Sequence, residues 1–302
     1  MLENKKKFSI IIITFNRPVE TLDCIKSIVN NASHKHIGEV IVINNNSKSC
    51  YKKFEQALDD FPVKVNYHLL NENLGVAGGR NYGIEVSKYE NLFFIDDDAE
   101  IDSDVLEKAN FFYESNPEIS ILAVKSLNYF TKKINFSEFP CHDKNRVSLP
   151  SFTTTHFIGV GHFIKKYVFR ECGLYPKNYM YGMEEYDLSY RCVAKDLKIA
   201  YSQDLVVLHK KSEHGRFPSR EVSEKLSINK ITVAYKYMPF VLFLSHIIAW
   251  SFRYAYVQKL RGVDKYLISL YKRLVETDRN VNLKLKITNL IEIKKSGNSI
   301  FY

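Results

Sequence analysis

The chain has 302 residues, of which 45% are hydrophobic, so it can bury a large core and is not expected to be disordered or fibrous. Its five cysteines are widely spaced and form no CxxC pair, which argues against a disulfide framework or a zinc site and indicates a reduced, cytoplasmic chain. The net charge is +9, and all of the basic excess lies in residues 225–295, where 14 lysines and arginines stand against 4 acids; this favours an anionic partner such as a membrane surface or a nucleic acid.

The N-terminal part of the chain predicts strands and helices in alternation. The run FSIIIITF over residues 8–15 is apolar and largely β-branched, as a strand covered on both faces should be. Asn16, Arg17 and Pro18 break this run and no cleavage site follows, so a signal peptide is not expected. Further strands are predicted over 39–47, 63–70 and 91–99, and helices over 19–32, 51–61 and 78–89. This alternation indicates an α/β fold with a parallel, doubly wound sheet.

Three of these strands end in polar residues, and ligands of such sheets bind beyond the carboxyl ends of the strands. The polar ends are Thr14 to Arg17, Asn44 to Ser47 and Asp96 to Asp98. Three adjacent carboxylates repel one another after a buried strand, and a divalent cation such as Mg²⁺ or Mn²⁺ would relieve the repulsion while holding a nucleotide phosphate. The alternative is a solvated acidic turn that caps a helix beginning near Ser103.

A glycine-rich loop, NENLGVAGGRNYG, follows the third predicted strand at residues 71–83. Glycines permit close approach of a ligand to the backbone, the helix start would offer amide groups to an anion, and Arg80 would add a charge-assisted contact to a phosphate. The same glycines are also typical of a tight turn into a helix. The chain has neither GxGxxG nor GxxxxGK[ST], so neither a dinucleotide enzyme nor a P-loop NTPase is supported.

Six segments in order carry a family resemblance: SIIIITFNRP, VIVINNNS, NENLGVAGGRNYG, FFIDDDA, GVGHFIKKYVFRECGLYP and EEYDLSYR. Together they resemble the family 2 glycosyltransferases with the GT-A fold, most closely the bacterial members that add rhamnose, galactofuranose or related sugars to surface polysaccharides. The resemblance covers residues 8–215. It implies a doubly wound, mostly parallel sheet in a nucleotide-sugar domain at 1–224, followed by a basic, helical C-terminal region at 225–302.

The resemblance implies a donor site at the strand ends and the glycine loop. Thr14, Asn16 and Arg17 correspond to the residues that meet the base and ribose. Asn44 stands where the family usually has an aspartate that accepts the base N3 hydrogen, and an amide oxygen can still accept that bond without charge. The other residues expected to bind the donor are Asn46, Asn73, Gly75, Gly79, Arg80, Asp96 and Asp97.

The same resemblance implies a metal site at the DXD-like motif. Asp98 is expected to bind Mn²⁺ or Mg²⁺ bridging the donor diphosphate, with Asp96 as a second ligand that also faces the ribose. His209 stands where a histidine completes the metal shell in related enzymes. From the residue alone, a structural histidine is the alternative.

Catalysis is expected from the acidic pair Glu184 and Glu185. The resemblance implies that the second member, Glu185, takes the proton from the attacking acceptor hydroxyl in an inverting reaction. The family normally has Glu-Asp here, so the longer Glu185 leaves Glu184 as the other candidate. Next to the pair, Asp187 and Arg191 are spaced i, i+4 and predict a helix ion pair.

Two glycines are expected near the acceptor. Gly159 and Gly161 match the pair that borders the acceptor sugar in the family, although a strand bulge explains them equally well. His156 and His162 nearby are interpreted as structural.

The resemblance implies an EC 2.4 hexosyl-type glycosyltransferase that uses a UDP- or dTDP-sugar and a glycan acceptor, such as a lipid-linked oligosaccharide of capsule or O-antigen synthesis. The alternatives are a nucleotide-sugar-binding protein or nucleotidyltransferase without glycosyl transfer, and a nucleic-acid-binding protein that uses the basic tail. No nucleic acid is expected, because that function leaves the acidic strand ends unexplained.

The apolar segment at 238–252 leaves three alternatives open. It is shorter than the about 20 residues that a membrane-spanning helix needs. It is expected to be a helix that covers the core, a helix that forms a homodimer, or an interfacial helix that binds the anionic inner leaflet and makes the protein peripheral on the cell membrane.

Overall fold

The protein is described by a computed structural model that covers residues 6–212, 219–277 and 284–301. Within these residues, nine strands form one sheet. They are β1 (Phe8–Thr14), β2 (Ile37–Asn44), β3 (Val65–Leu69), β4 (Asn91–Ile95), β5 (Ala99–Ile101), β6 (Ile119–Asn128), β7 (Ser151–Thr154), β8 (Gly161–Lys165) and β9 (Lys198–His209). The helices are α1 (Pro18–Asn31), α2 (Lys52–Ala57), α3 (Gly75–Val86), α4 (Val105–Ser115), α5 (Tyr167–Cys172), α6 (Glu184–Ala194), α7 (Ser219–Tyr237), α8 (Phe240–Val257), α9 (Val263–Glu276) and α10 (Ile287–Lys295).

The sheet has the order β3-β2-β1-β4-β8-β6-β9-β5, with β7 also paired to β9. Strands β1 to β4 are parallel, as the alternation of strands and helices predicted. Beyond β4 the sheet is mixed: β8 runs antiparallel between β4 and β6, while β6 and β9 are parallel. The predicted α/β class is therefore confirmed, with a doubly wound first half that brings the ends of β1, β2 and β4 to one edge.

Strand β1 is buried on both faces because its residues alternate between two cores. Ile10 and Ile12 pack in one hydrophobic cluster, and Ile11 packs in the other. On the second face, α3 lies close to the strand because it carries glycine at the contact points. A Cβ at Gly83 would lie 2.5 Å from a methyl group of Ile11. The glycine-rich segment therefore has two parts: it forms the loop before α3, and its later glycines let the helix pack closely against the sheet.

Several predicted boundaries shift. The strand predicted over 91–99 ends at Ile95, and Ala99–Ile101 forms the separate strand β5, which pairs antiparallel with β9. Helix α3 begins at Gly75 rather than residue 78. Helix α2 ends at Ala57 and continues only as a 3₁₀ turn, Leu58–Asp60. The aspartate turn thus lies between two strands that belong to different parts of the sheet.

The C-terminal region is helical, as predicted, and shares a third hydrophobic core with α6. Tyr190 of α6 packs there with Tyr237 of α7, and Ile293 of α10 belongs to the same cluster. Residue 224 lies inside α7, so the predicted boundary between 1–224 and 225–302 falls within a helix and remains a prediction. All five cysteines are free.

Candidate active site

A cavity of about 330 Å³ opens at the carboxyl edge of the parallel strands. Its floor is formed by the turn after β4, and its walls come from the segment after β1, the start of α3 and the end of β9. The predicted site residues that line it are Arg17, Asn73, Gly75, Arg80, Asp96, Asp97, Asp98 and His209. Arg17 and the three aspartates are therefore brought to the same space as His209, which follows Asp98 by 111 positions and Arg17 by 192.

The three aspartates have different partners. Asp97 accepts a 2.8 Å bond from Arg17, whose Nη1 also lies 3.3 Å from Asp98. Burial raises the pKa of Asp97 to about 7, although Arg17 opposes the shift. The carboxylate that caps the following helix is Asp104, which accepts a bond from the backbone N–H of Glu107. The triple aspartate is thus not the helix cap that the sequence offered as an alternative.

Asp96, Asp98 and His209 form a cluster that fits one divalent cation. One donor atom from each lies within 4.8 Å of the others, and His209 Nε2 is 3.2 Å from Asp98 Oδ1. The antiparallel pairing of β5 and β9, in which Ala99 faces His209, sets this arrangement. Two carboxylates and an imidazole, of which Asp98 and His209 are buried, converge from two elements and are a chemically suitable donor set for Mn²⁺ or Mg²⁺.

The charge state of the cluster follows from its contacts. Burial raises the pKa of Asp96 to about 6. Burial also works to raise the pKa of Asp98, but the hydrogen bond to His209 and the charge of Arg17 lower it. Burial would lower the pKa of His209, yet its bonds to Asp98 and Glu138 raise it to about 10. The carboxylates on either side of His209 therefore favour positive charge between them, which is the charge that a divalent cation would supply.

Glu138 belongs to the site and was not predicted from the sequence. It lies on a 3₁₀ turn, Phe136–Glu138, lines the cavity, and has Oε1 3.0 Å from His209 Nδ1 and 2.9 Å from Lys211 Nζ. Burial works to raise the pKa of Glu138, but the bond and charge of His209, together with the bonds from Ser126 and Lys211, lower it to about 2. A carboxylate on Nδ1 fixes the ring orientation and leaves Nε2 on the side of Asp98.

Arg80 joins the aspartate turn to the acidic pair. It is buried, with its guanidinium 3.6 Å from Asp96, 3.4 Å from Glu184 and 2.7 Å from Glu185, and it also donates to the carbonyl of Gly159. Burial opposes the charge, but Glu185 and Glu184 raise the pKa of Arg80, which stays protonated. Its partners are thus three carboxylates and one backbone carbonyl, and the phosphate contact expected from the sequence remains a prediction for the donor-bound protein.

The two glutamates of the acidic pair lie in different surroundings at the start of α6. Glu184 is buried, and burial together with the charge of Glu185 raises its pKa to about 8. Among the described atoms, its Oε2 has no hydrogen-bond partner. Glu185 is partly exposed and holds its 2.7 Å contact with Arg80. Glu185 is therefore the member of the pair that an incoming hydroxyl reaches more easily.

Several residues that were predicted to bind the nucleotide make hydrogen bonds within the protein and do not line the cavity. Thr14 is buried and hydrogen-bonds to Thr21 and Tyr51. The side-chain oxygen of Asn16 accepts from the backbone of residues 48 and 49. The amide of Asn44 donates to Tyr67 and accepts from Ser47, and Asn46 donates to the carbonyl of Asn71. These bonds shape the two strand ends, and the roles predicted for these residues toward the base remain predictions.

The start of α3 places the remaining donor residues. Asn73 accepts from the backbone N–H of Gly75, whose φ of 69° favours glycine. Gly79 faces the sheet, where a Cβ would lie 2.9 Å from Ile13, so its place is in helix packing. The cavity wall opposite is formed by Met180 and Tyr181, which the sequence did not single out.

The glycines and histidines near the acidic pair have clear structural surroundings. A Cβ at Gly159 would lie 2.2 Å from Glu185 Oε1, whereas one at Gly161 would meet core methyl groups of two valines at 3.1 and 3.2 Å. His162 is buried and bonds to Tyr175, and His156 is buried against Tyr186. The predicted ion pair of Asp187 and Arg191 is present at 2.9 Å. Gly159 therefore makes room for the acidic pair, and both histidines are structural.

Two known proteins are similar to this chain in sequence. A protein from Haemophilus influenzae without an assigned function is 31% identical over 180 residues, which is 57% of this chain and 95% of that protein. The GalNAc(5)-diNAcBac-PP-undecaprenol beta-1,3-glucosyltransferase of Campylobacter jejuni is 37% identical over 113 residues. This match spans 35% of this chain and 36% of that enzyme.

The fold is shared with a solved glycosyltransferase. The crystal structure of GalNAc-T7 with UDP, GalNAc and Mn²⁺ superimposes with a TM-score of 0.68 at 15% identity, covering 96% of this chain and 57% of that one. This likeness confirms the predicted GT-A fold. The family model for glycosyl transferase family 2 matches residues 9–173, more than half of the chain. The protein is therefore a glycosyltransferase of family 2.

Proposed function

We propose that the protein transfers a sugar from a UDP- or dTDP-sugar to a hydroxyl of a glycan acceptor, with inversion at the anomeric carbon and with help from a divalent cation. The observation that carries the proposal is the linkage through Arg80 of two carboxylate groups: the aspartate turn beneath the cavity and the acidic pair beside it. The aspartate turn could hold a cation that binds the leaving diphosphate, and the acidic pair could accept the proton of the attacking hydroxyl. A sugar bound between the two groups would therefore lie next to both.

The donor end is built from the aspartate turn and His209. When bound there, a divalent cation stabilises the negative charge that develops on the leaving diphosphate. Asp96, Asp98 and His209 would hold it, and Mg²⁺ prefers all-oxygen ligand sets, so we expect Mn²⁺ to serve best. Lys211 lines the same cavity and adds positive charge near the phosphates.

The acceptor end is built around Glu185. Its carboxylate would take the proton of the acceptor hydroxyl as the oxygen attacks the anomeric carbon from the face opposite the diphosphate. Arg80 orients that carboxylate, and Gly159 leaves the space that it occupies. A single displacement by an activated hydroxyl inverts the configuration, which is the stereochemical outcome we propose.

A lipid-linked oligosaccharide is the acceptor class we propose. The related Campylobacter enzyme is named for an undecaprenol diphosphate-linked substrate. With an acceptor of this kind, we expect the enzyme to act at the cytoplasmic side of a membrane. The basic excess of the C-terminal region supports that location.

The test is a thermal-stability screen of the full chain against UDP-, dTDP- and GDP-sugars, with and without Mn²⁺, followed by a transfer assay with the stabilising donor. A ligand that binds only the folded state raises the melting temperature. We expect stabilisation by one uracil or thymine donor that depends on Mn²⁺ and is lost in Asp98→Asn. Binding without donor hydrolysis or transfer would favour a nucleotide-sugar-binding protein. Release of diphosphate from a nucleoside triphosphate would favour a nucleotidyltransferase.

A further inference from the structure

Helices α8 and α9 each expose a stripe of large apolar side chains. On α8 the stripe includes Ile248, Phe252 and Tyr256, which are 70%, 73% and 77% exposed. On α9 it includes Ile268, Tyr271 and Val275, all more than half exposed. Residues three or four apart lie on one face of a helix, so each stripe is continuous. These six side chains are called the α8–α9 face below.

The two stripes belong to one surface. Both helices pack against α7, and they meet each other where Tyr254 stacks on Tyr266 with ring centroids 4.1 Å apart. The buried sides of α8 and α9 are therefore directed toward α7, and their stripes are directed away from it. Apolar patches of this kind on a soluble protein mark a surface that docks on something else.

Positive charge accompanies this face. Residues 240–277 contain six lysines and arginines against two acidic residues. Arg253, Lys259, Arg261, Lys265 and Lys272 are exposed on α8, on α9 and on the turn between them. An apolar stripe with basic neighbours is the pattern of a helix that lies in the headgroup region of an anionic bilayer.

We infer that the α8–α9 face docks the enzyme on an anionic membrane surface, with both helices lying in the plane of the interface. A second copy of the chain is a poorer occupant, because a symmetric contact would bring two sets of like charges together. A nucleic acid would leave the apolar stripes uncovered.

Docking in the plane also fits α8 better than crossing the membrane. Among the described residues, α8 is the one helix long and apolar enough to cross a bilayer by length and composition. However, Phe243, His246 and Tyr254 are buried against the rest of the protein. At 18 residues the helix is about 27 Å long, somewhat short of the hydrocarbon core, so crossing would sacrifice these contacts without a full span.

The docking helices also support the cavity wall. Arg273 of α9 donates to Asn229 of α7 at 3.2 Å and to the carbonyl of Asn178 at 2.9 Å. Asn229 in turn donates to the carbonyls of Tyr181 and Gly182. The loop that carries Tyr181 into the cavity is therefore tied to the membrane-facing helices. This connection would hold the open site beside the leaflet in which a lipid-linked acceptor lies, an inference that rests on the proposed function.

The test is co-sedimentation of the full chain with vesicles of phosphatidylcholine alone or with one third phosphatidylglycerol. We expect binding to the anionic vesicles that weakens with salt. The double variant Ile248→Glu/Phe252→Glu should lower the partition coefficient about tenfold or more, and Lys265→Gln about fivefold. Phe111→Glu, at a 71% exposed position on α4, is the matched control and should bind like the parent chain.

Equal binding of parent and double variant would overturn the inference, as would a stable dimer in solution that binds no vesicles and dissociates in the double variant. Circular dichroism of each variant verifies that it is folded. Donor hydrolysis by vesicle-free protein separates the two proposals: turnover without vesicle binding would refute only the docking, and vesicle binding without turnover would refute only the proposed function.

Discussion

Two adjacent glutamates differ in their burial, and neither is among the residues that line the cavity. Glu184 is buried, and burial together with the charge of Glu185 raises its pKa, which works against an ionised carboxylate at this position. Glu185 is partly exposed and ion-paired with Arg80. The assignment of the base to the second carboxylate, made from the sequence by resemblance, stays a prediction, and this difference in burial supports it.

We predict that Glu185→Gln removes transfer while leaving donor binding nearly intact. The glutamine oxygen can still accept from Arg80, so the fold of the site is kept, but an amide cannot take a proton. The loss of a general base costs about 10²–10⁴ in rate. Transfer kinetics and donor titration measure the two effects separately, with Glu184→Gln as the neighbouring comparison. Full activity of Glu185→Gln would refute the assignment.

Glu138 acts on the proposed metal site through His209. We predict that Glu138→Gln lowers the affinity for Mn²⁺ by about 10–100-fold, because the imidazole loses the carboxylate that fixes its orientation and raises its basicity. Titration calorimetry with Mn²⁺ alone provides a readout independent of catalysis. Glu90→Gln, which removes an exposed ion pair with Arg170, is the control. An unchanged affinity for Mn²⁺ would mean that Glu138 does not position His209.

At the scale of elements, the segment before β8 shows how closely a backbone can constrain a side chain. We predict that Gly159→Ala lowers the rate of transfer at least about tenfold, because its Cβ would lie 2.2 Å from Glu185 Oε1 and 2.7 Å from Arg80 Nη2 and would displace this ion pair. Gly161→Ala should lower the stability and leave the rate of transfer nearly unchanged, because its Cβ meets packed core methyl groups. Transfer rates and denaturant midpoints of both variants test this contrast. Equal behaviour of the two variants would contradict it.

The elements that could be predicted are those with local signals. The apolar run of β1 and the helical spacing in α1 depend on neighbouring residues, and both elements formed close to the predicted bounds. The antiparallel positions of β5 and β8 depend on distant partners, so alternation alone suggested a parallel sheet throughout.

The same distinction applies to the site. Asp96, Asp98 and His209 could be placed because the order of motifs resembles a family. Glu138 could not, because a three-residue 3₁₀ turn has no periodicity and its partner lies 71 residues away. The hydrogen bonds that occupy Asn44 were hidden for a similar reason, since one of them joins it to a tyrosine on the neighbouring strand.

At the scale of the whole molecule, the C-terminal residues are part of the folded unit. Asn298 is buried and donates to Thr154 and Thr155 at 3.0 Å each, beside β7. We predict that Asn298→Ala lowers the free energy of unfolding by about 1–3 kcal/mol, because the hydroxyl groups lose a buried donor. Denaturant unfolding measures this, and exposed Asn145→Ala is the control. Equal midpoints for both variants would show that this contact contributes little.

The pairing of β5 with β9 also has a consequence for synthesis of the chain. Asp98 and His209 become neighbours only when Ala99 pairs with His209, about 110 residues later in the sequence. While the ribosome is still making the segment between them, the three aspartates have neither their histidine nor the second half of the sheet. Uptake of the proposed cation by all three ligands would therefore follow closure of the sheet.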